Sequence, residues 1–360
     1  MDASFVPQSV RRRGQRGRFI VGLAVILLAV AACSTDPGTT PTIPPDATGS
    51  IQPATTGTPM PSASAATFPV TLTDDEGTKV ELPAEPTKIV SLTPATTETL
   101  FALGVGDRIV GKVEDLSLYP PEAAAIPDVA KYGEIDVEKI VSFEADLVIA
   151  GGNNFNPPDK IAQLRQLGVP VIVLYAPDID TVFSDIELTG AAVGRIEAAK
   201  DLTSSMRAGF DQVEAATSSL EKPRVFYELD ASREIYTAAD DSFLAKMIEL
   251  AGGQPITTGS TTSFEIPLET LVTADPEVIL LGDAAYGVTA DAVGARPGWN
   301  VMTAVKDGQI RPVDDVVITR PGPRLVEGLK LLAVAIHPEA DIPGVPSSAE
   351  SPSPAASAAP

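Results

Sequence analysis

The sequence is poor in the residues that build cross-links, metal centres and nucleic-acid surfaces. Its 360 residues include one Cys, one His and one Trp. One Cys cannot form an internal disulfide, and one His with one Cys cannot supply the ligands of the usual zinc sites. The 26 Lys and Arg residues are outnumbered by 48 Asp and Glu residues, for a formal charge of −22, whereas nucleic-acid binding needs a basic surface. We therefore expect no resident metal or cofactor and no nucleic-acid partner.

The sequence also lacks a hydrophobic run long enough for a membrane-spanning helix, which needs about 20 residues. Its apolar run covers the 14 residues 19–32, follows five arginines between Arg11 and Arg18, and stops at Cys33. This pattern is typical of a secretory signal peptide. Residues 30–33 (VAAC) resemble the bacterial lipobox, whose Cys is lipidated. We predict a lipoprotein signal peptide over residues 1–32 and a lipid anchor at Cys33, on the extracytoplasmic face of the cell membrane; ordinary secretory cleavage is the alternative.

Two segments lack the apolar content of a folded domain. Residues 33–67 are rich in Thr, Pro, Ser, Ala and Gly, and their only charges are Asp36 and Asp46. Such a segment cannot bury enough apolar surface to offset the entropy lost on ordering. We predict a disordered tether there and a disordered tail over residues 344–360, which has a similar composition.

Between these segments, short apolar runs alternate with helical stretches, which is typical of βαβ units. The runs lie at residues 88–92, 109–113, 146–150 and 169–175, and again at 224–229, 277–281 and 309–313. Residues 195–220 have a helical spacing of apolar positions, and Pro223 ends that stretch. We predict an α/β fold with an N-terminal lobe over 68–180 and a C-terminal lobe over 223–343, each with a mainly parallel sheet, bridged by one long α-helix within 181–222.

One motif occurs once in each predicted lobe. Residues 134–152 align with residues 265–283, with five of the 19 positions identical, and each copy predicts a short helix followed by a buried strand. Any helix followed by a strand shares some of this pattern. If the lobes are related by pseudo-symmetry, Glu138 and Glu269 occupy equivalent places. Two matched carboxylates suit docking onto a two-fold symmetric basic partner.

Four motifs, in this order, resemble the cobalamin and ferric-siderophore substrate-binding proteins of bacterial ABC importers. They are residues 88–98 (KIVSLTPATTE), 119–123 (YPPEA), 136–140 with 145–149 (DVEKI, ADLVI) and 320–324 (RPGPR). The resemblance implies two α/β lobes joined by a long helix, little hinge motion, and a shallow cleft that binds a chelate of cobalt or iron. It also implies a monomer that delivers its ligand to a permease and ATPase, with Glu138 and Glu269 at the permease-docking positions.

The ligand site predicted from the resemblance lies in that cleft. Ligands of open parallel sheets bind beyond the carboxyl ends of the strands, so the loops after Leu92, Ala150 and Leu229 are expected to face the cleft. The family alignment places five ligand-binding candidates there: Tyr132, Asn153, Tyr236, Phe264 and Arg320. The tyrosines can stack on a flat chelate, and Arg320 can meet an anionic or amide group. Some cobalamin binders have Trp where this chain has Gly151.

Enzyme chemistry is not expected, because His337 lies outside the predicted sheets and leaves a Ser-His-Asp triad without a base. His337 itself is predicted to lie on the surface, and Trp299 is predicted to pack at a helix start. The alternatives that the sequence leaves open are an extracytoplasmic sensor or adhesion module with the same lobes, a haem receptor, or a zinc or manganese receptor.

Overall fold

The computed structural model describes residues 67–117, 119–153 and 155–345. The strands are β1 (Val70–Thr73), β2 (Lys79–Leu82), β3 (Ile89–Ser91), β4 (Ile109–Val113), β5 (Asp128–Lys131), β6 (Glu134–Ile135), β7 (Leu147–Gly151), β8 (Val171–Leu174), β9 (Arg224–Glu228), β10 (Gln254–Pro255), β11 (Val278–Leu281) and β12 (Ile310–Pro312). The helices are α1 (Pro94–Ala102), α2 (Val137–Ser142), α3 (Pro158–Gln166), α4 (Ile179–Ala192), α5 (Ile196–Thr217), α6 (Phe243–Leu250), α7 (Leu268–Ala274), α8 (Ala290–Gly294), α9 (Thr303–Lys306), α10 (Asp315–Thr319) and α11 (Leu325–Ile336).

Several predictions concern residues outside the described ranges. These are the signal peptide, the lipid site at Cys33, all but the last residue of the tether, and residues 346–360 of the tail. Within the described part of the chain, no helix combines the length and apolar character needed to cross a bilayer.

The N-terminal lobe is built on a six-stranded sheet in the order β6-β5-β4-β3-β7-β8. Its pairings are parallel except for the short antiparallel pair of β5 and β6. All five residues of β7 are buried, as expected for a parallel strand covered on both faces. The predicted hairpin at the start of the lobe is confirmed as β1 and β2. Strands β5 and β6 were not predicted, because β5 does not alternate between buried and exposed residues and β6 has only two residues.

The C-terminal lobe contains a four-stranded parallel sheet in the order β10-β9-β11-β12. Trp299 packs behind this sheet with 3% of its surface exposed, edge-on to Phe226 at 6.0 Å between ring centroids. The predicted packing role of Trp299 is therefore confirmed. The predicted surface position of His337 is wrong: the residue is 4% exposed, and its Nε2 lies 3.1 Å from the carbonyl oxygen of Gly252.

The long bridging helix is α5, with 22 residues and a length of about 33 Å at 1.5 Å per residue. The sequence predicted 26 residues over 195–220, and the helix is shorter because it begins at Ile196 and ends at Thr217. Residues 181–192 belong to the separate helix α4, which ends before Gly194 at φ +73°. Helix α5 buries one stripe at helical spacing, formed by Ala199, Thr203, Met206, Phe210, Val213 and Thr217.

A single apolar core connects the two sheets through this helix. It runs from Leu147 and Ile149 of the first sheet, through Met206 and Val213 of α5, to side chains such as Tyr227 of the second sheet. A shared, close-packed core resists relative motion of the parts it joins. The predicted α/β fold with two lobes bridged by one long helix is confirmed.

The internal repeat has the same structural place in both lobes. Its first copy forms α2 and β7, and its second copy forms α7 and β11. Each strand pairs in parallel with the strand of its sheet that comes first along the chain, β7 with β3 and β11 with β9. Glu138 and Glu269 are both the second residue of their helices, and both are exposed.

Candidate functional site

A cavity of about 610 Å³ lies at the carboxyl ends of β3, β7 and β8 and is closed on one side by α10 of the C-terminal lobe. This volume is typical of a small-molecule site. The lining residues are Thr93, Pro94, Ala95, Thr96, Thr99, Tyr132, Gly151, Gly152, Asn153, Phe155, Leu174, Tyr175, Ala176, Asp185, Ile186, Thr189, Asp315, Val316, Thr319, Arg320 and Pro321. The expected position beyond the strand ends is confirmed for the loops that follow Leu92 and Ala150, whereas the loop after Leu229 does not contribute.

Threonine side chains at the start of α1 form one wall of the cavity. Thr93 caps the helix, since its hydroxyl accepts a hydrogen bond from the Thr96 backbone N–H at 3.1 Å. The Thr93 and Thr96 hydroxyls are 2.8 Å apart. Pro94 fits the first helical position because it has no N–H to satisfy there. The wall therefore offers short hydroxyl groups on a rigid helix end.

Aromatic rings form a second wall. Tyr132, in the turn between β5 and β6, is 80% exposed and stands edge-on to Phe155 at 5.7 Å between ring centroids. Tyr175 follows β8 and is 44% exposed. Exposed rings at the mouth of a cavity provide apolar contact area for a flat ligand.

Gly151 leaves room for this aromatic wall. A Cβ atom at position 151 would lie 2.7 Å from Cγ2 of Thr93 and 3.0 Å from Cδ1 of Phe155, closer than carbon atoms pack. A Trp at this position therefore does not fit the local packing. Phe155 packs against this position instead.

Arg320 lines the cavity, but its guanidinium group is held by carboxylates of the other lobe. Its Nη1 donates to Glu98 at 2.6 Å and to Asp115 at 2.9 Å, and its Nη2 donates to Asp115 at 3.1 Å. Arg324 also donates to Glu98, at 2.7 and 3.0 Å. We call these four side chains the inter-lobe ion cluster, since two come from each lobe. Arg320 was expected to be available to an anionic ligand group, but in this structure its guanidinium group is already bonded to Glu98 and Asp115.

The inter-lobe ion cluster is well shielded from water. The exposed side-chain fractions are 2% for Glu98, 12% for Asp115, 14% for Arg320 and 18% for Arg324. Burial alone would raise the pKa of Asp115, but hydrogen bonds from Arg320 and Ser117 outweigh it and hold that pKa below its usual value. Two positive and two negative charges leave the cluster neutral overall.

Two further carboxyl groups line the cavity, one from α4 and one from α10 of the C-terminal lobe. Burial raises the pKa of Asp185, on α4, to about 8, with the Asp75 and Asp178 carboxylates contributing less. Burial also raises the pKa of Asp315, at the start of α10. The Asp315 side chain accepts hydrogen bonds from the Tyr227 hydroxyl at 2.8 Å and from Thr319 Oγ1 at 3.3 Å.

The equivalent strand ends of the C-terminal lobe carry a separate acidic pair that does not line the cavity. Arg296 forms a two-point ion pair with Glu228, at 2.5 and 2.8 Å. Burial, followed by the Glu228 carboxylate, raises the pKa of Asp283 to about 7. Because Arg296 is committed to Glu228, these strand ends offer no free cation from that residue.

The structure brings together three of the five predicted ligand residues. Tyr132, Asn153 and Arg320 line the cavity. Tyr236 and Phe264 do not: Tyr236 forms backbone bridges with Asp230 and Glu265, and Phe264 lies beside them with 48% of its surface exposed. The assignment of all five residues to ligand binding stays a prediction.

Four aromatic or acidic side chains that line the cavity were not among the predicted site residues: Phe155, Tyr175, Asp185 and Asp315. Tyr175 stood at the end of a predicted strand, which was a usable signal. Asp185 lies inside a helix, where an isolated acidic residue resembles any solvated position. Within the described residues, His, Cys, Asp and Glu side chains nowhere converge in a group of three or more that could hold a metal ion.

A family model described as periplasmic binding protein matches residues 89–317. The chain belongs to this family. The match covers both sheets and α5, and it confirms the resemblance stated from the motifs.

Two relatives are similar over most of the chain. An uncharacterised ABC transporter substrate-binding lipoprotein of Bacillus subtilis is 34% identical over 277 residues, covering 76% of this chain and 87% of the relative. A cobalamin-binding protein of Halobacterium salinarum is 31% identical over 287 residues, covering 76% and 75%. Substrate-binding proteins of ABC importers work with a permease and an ATPase, so the relatives support an extracytoplasmic protein of this kind.

Two solved structures match the fold almost equally well. The periplasmic vitamin B12 binding protein of Vibrio cholerae matches with a TM-score of 0.60 and 27% identity, covering 70% of this chain and 96% of that protein. The periplasmic haem-binding protein of Roseiflexus matches with a TM-score of 0.61 and 27% identity, covering 69% and 97%. The fold alone therefore does not separate a corrinoid from a haem ligand.

Proposed function

We propose that the protein is the lipid-anchored substrate-binding component of an ABC importer and captures a cobalamin-like corrinoid or a ferric siderophore. The observation that carries the proposal is the cavity of about 610 Å³ at the strand ends, with aromatic rings on one side and a wall from the other lobe. The metal, cobalt or iron, arrives inside the ligand and is cargo. The residues described above bind and orient; none is assigned a catalytic role.

Ligand binding is tested by calorimetric titration of the mature chain with cobalamin, ferric hydroxamates, ferric catecholates and haem. Calorimetry suits this protein because its single Trp is buried in the C-terminal lobe outside the cavity lining. We expect cobalamin or at least one of the ferric siderophores to bind with Kd below about 10 μM, a binding free energy of roughly −7 kcal/mol. Binding of none of these, or of haem alone, would refute the proposal.

Binding in this cavity is tested by filling it. Val316 lines the cavity and is partly buried, so Val316→Trp is expected to weaken the ligand at least tenfold. The matched control is Val301→Trp, because Val301 is 48% exposed and does not line the cavity. Equal loss in both variants would show that the effect is not local to the site.

Permease docking is proposed for Glu138 and Glu269. Both carboxylates are exposed at equivalent helix starts, and neither pairs with a Lys or Arg within the described residues. Two such charges suit basic side chains on a two-fold symmetric permease. We expect Glu138→Arg/Glu269→Arg to abolish uptake while leaving ligand affinity unchanged.

A matched control distinguishes the loss of docking contacts from the effect of a changed net charge. Glu81→Arg/Glu214→Arg changes the net charge equally at two exposed residues outside the repeat, and it is expected to leave uptake intact. Uptake that survives in the first variant would contradict the docking role and would favour a sensor or adhesion module.

The lipid anchor is tested by Cys33→Ser, which is expected to move the protein from the membrane fraction to the soluble extracytoplasmic fraction.

A further inference from the structure

The charged residues that line the cavity are two acids and one base. They are Asp185, Asp315 and Arg320. The base is already neutralised, because both Nη atoms of Arg320 donate to carboxylates of the N-terminal lobe. An anionic ligand group that used Arg320 would have to compete with Glu98 and Asp115. The cavity therefore presents carboxyl groups to its ligand without a free cation among its lining residues.

The surroundings of Asp185 add to this negative character. The Asp75 carboxylate, which faces Asp185, accepts a hydrogen bond from the Tyr175 backbone N–H, and Asp178 lies at the start of the same helix. Asp75 therefore places a further carboxyl group beside Asp185. On the opposite wall, the carboxyl group of Asp315 accepts hydrogen bonds from the Tyr227 hydroxyl and from Thr319 Oγ1. An anionic ligand group between these walls meets carboxyl groups on both sides and no free Lys or Arg among the lining residues.

We infer that the cavity selects metal chelates without net negative charge and that Asp185 and Asp315 are its specificity-determining side chains. The inference rests on the proposed function, since it concerns the ligand of the same cavity. The inference distinguishes between candidate ligands that the fold alone does not separate. Uncharged corrinoids and cationic ferric trihydroxamates fit, whereas haem, with its two propionates, and anionic ferric tricatecholates do not.

The test is a calorimetric comparison of four probes at pH 7.5 on the unaltered mature chain. The probes are cyanocobalamin, the cationic ferric complex of desferrioxamine B, an anionic ferric tricatecholate and ferric protoporphyrin. We expect the tightest uncharged or cationic probe to bind at least tenfold more tightly than either anionic probe. An anionic probe that binds equally or more tightly would overturn this inference, while the proposed function stands as long as a corrinoid or siderophore probe binds. If haem alone binds, or none of the four binds, both fail.

The two acids are tested directly with Asp185→Asn/Asp315→Asn, and each single variant is measured as well. Asn keeps the size of the side chain and, at position 315, an oxygen that can accept from Tyr227. We expect the ratio of Kd for the anionic probes to Kd for the uncharged or cationic probes to fall at least tenfold, because the anionic probes bind more tightly. The control Asp107→Asn/Asp307→Asn makes the same side-chain change at two exposed positions outside the cavity. An unchanged ratio in folded Asp185→Asn/Asp315→Asn would overturn the assignment.

Discussion

The inter-lobe ion cluster predicts a specific cost for the loss of Arg320. Arg320→Gln removes the only lysine or arginine bonded to Asp115 within the described residues, while Glu98 keeps Arg324. Breaking a buried ion pair by removing one partner costs about 3–5 kcal/mol. Because Asp115 keeps 12% exposure and its hydrogen bonds from Ser117, we expect the free energy of unfolding to fall by about 2–3 kcal/mol.

The measurement is urea unfolding followed by circular dichroism, with Arg233→Gln as the matched control. Arg233 is exposed, so its replacement is expected to change the unfolding free energy by less than about 0.5 kcal/mol. Arg320→Gln/Asp115→Asn removes both charges and is expected to cost less than the sum of its single variants, by about 1–2 kcal/mol. Additive single variants, or an Arg320→Gln effect as small as that of the control, would refute the role of the cluster.

Acid provides a second check on the same pair. The folded state holds the pKa of Asp115 below its ordinary value of 3.8, so ionised Asp115 stabilises the fold above that value. This contribution is lost as the pH falls through the folded-state pKa. The stability difference between the unaltered chain and Arg320→Gln is therefore expected to shrink below about pH 4.

Three further predictions follow from single residues. Asp185→Asn is expected to raise the free energy of unfolding by about 1–3 kcal/mol at pH 8.5 and by almost nothing at pH 4. The pKa of Asp185 is raised in the folded state, so its ionisation destabilises the fold as the pH rises from about 4 to about 8. Equal urea midpoints of the variant and the unaltered chain at pH 8.5 would contradict this. Tyr132→Ala is expected to weaken the ligand by roughly fivefold to tenfold in calorimetry, whereas Tyr286→Ala, at a 90% exposed residue outside the cavity, leaves it unchanged. Gly328→Ala would place a Cβ 2.2 Å from the Val317 carbonyl oxygen and is expected to destabilise the fold by about 1–3 kcal/mol, measured by thermal unfolding.

The predicted elements were those with a strong local signal. Short apolar runs such as those within residues 146–150 and 277–281 predicted buried parallel strands, because burial on both faces leaves little place for polar residues. The long helix was predicted from its apolar stripe, but its end was placed three residues late. Pro223 sets only the last position at which the helix can end, and the helix ends before it, at Thr217. The two-residue strands carry no such signal.

The charge arrangement of the site could not be predicted in the same way. Arg320 was identified as a cleft residue, yet its partner Glu98 lies 222 positions away in the sequence. Nothing in the residues around Arg320 shows that its guanidinium group is already paired. Likewise, the raised pKa of Asp185 comes first from burial and then from the Asp75 carboxylate, which the turn of the β1–β2 hairpin brings close. Pairings across lobes depend on tertiary structure, whereas strand and helix signals are local.

The central claim is that the cavity binds an uncharged or cationic metal chelate. Calorimetric titration of the mature chain with cyanocobalamin and with the ferric complex of desferrioxamine B, beside haem and a ferric tricatecholate, tests it most directly. The account predicts Kd below about 10 μM for at least one of the first two and at least tenfold weaker binding of the last two. Equal or tighter binding of haem or the tricatecholate, or no binding of any probe, would contradict it.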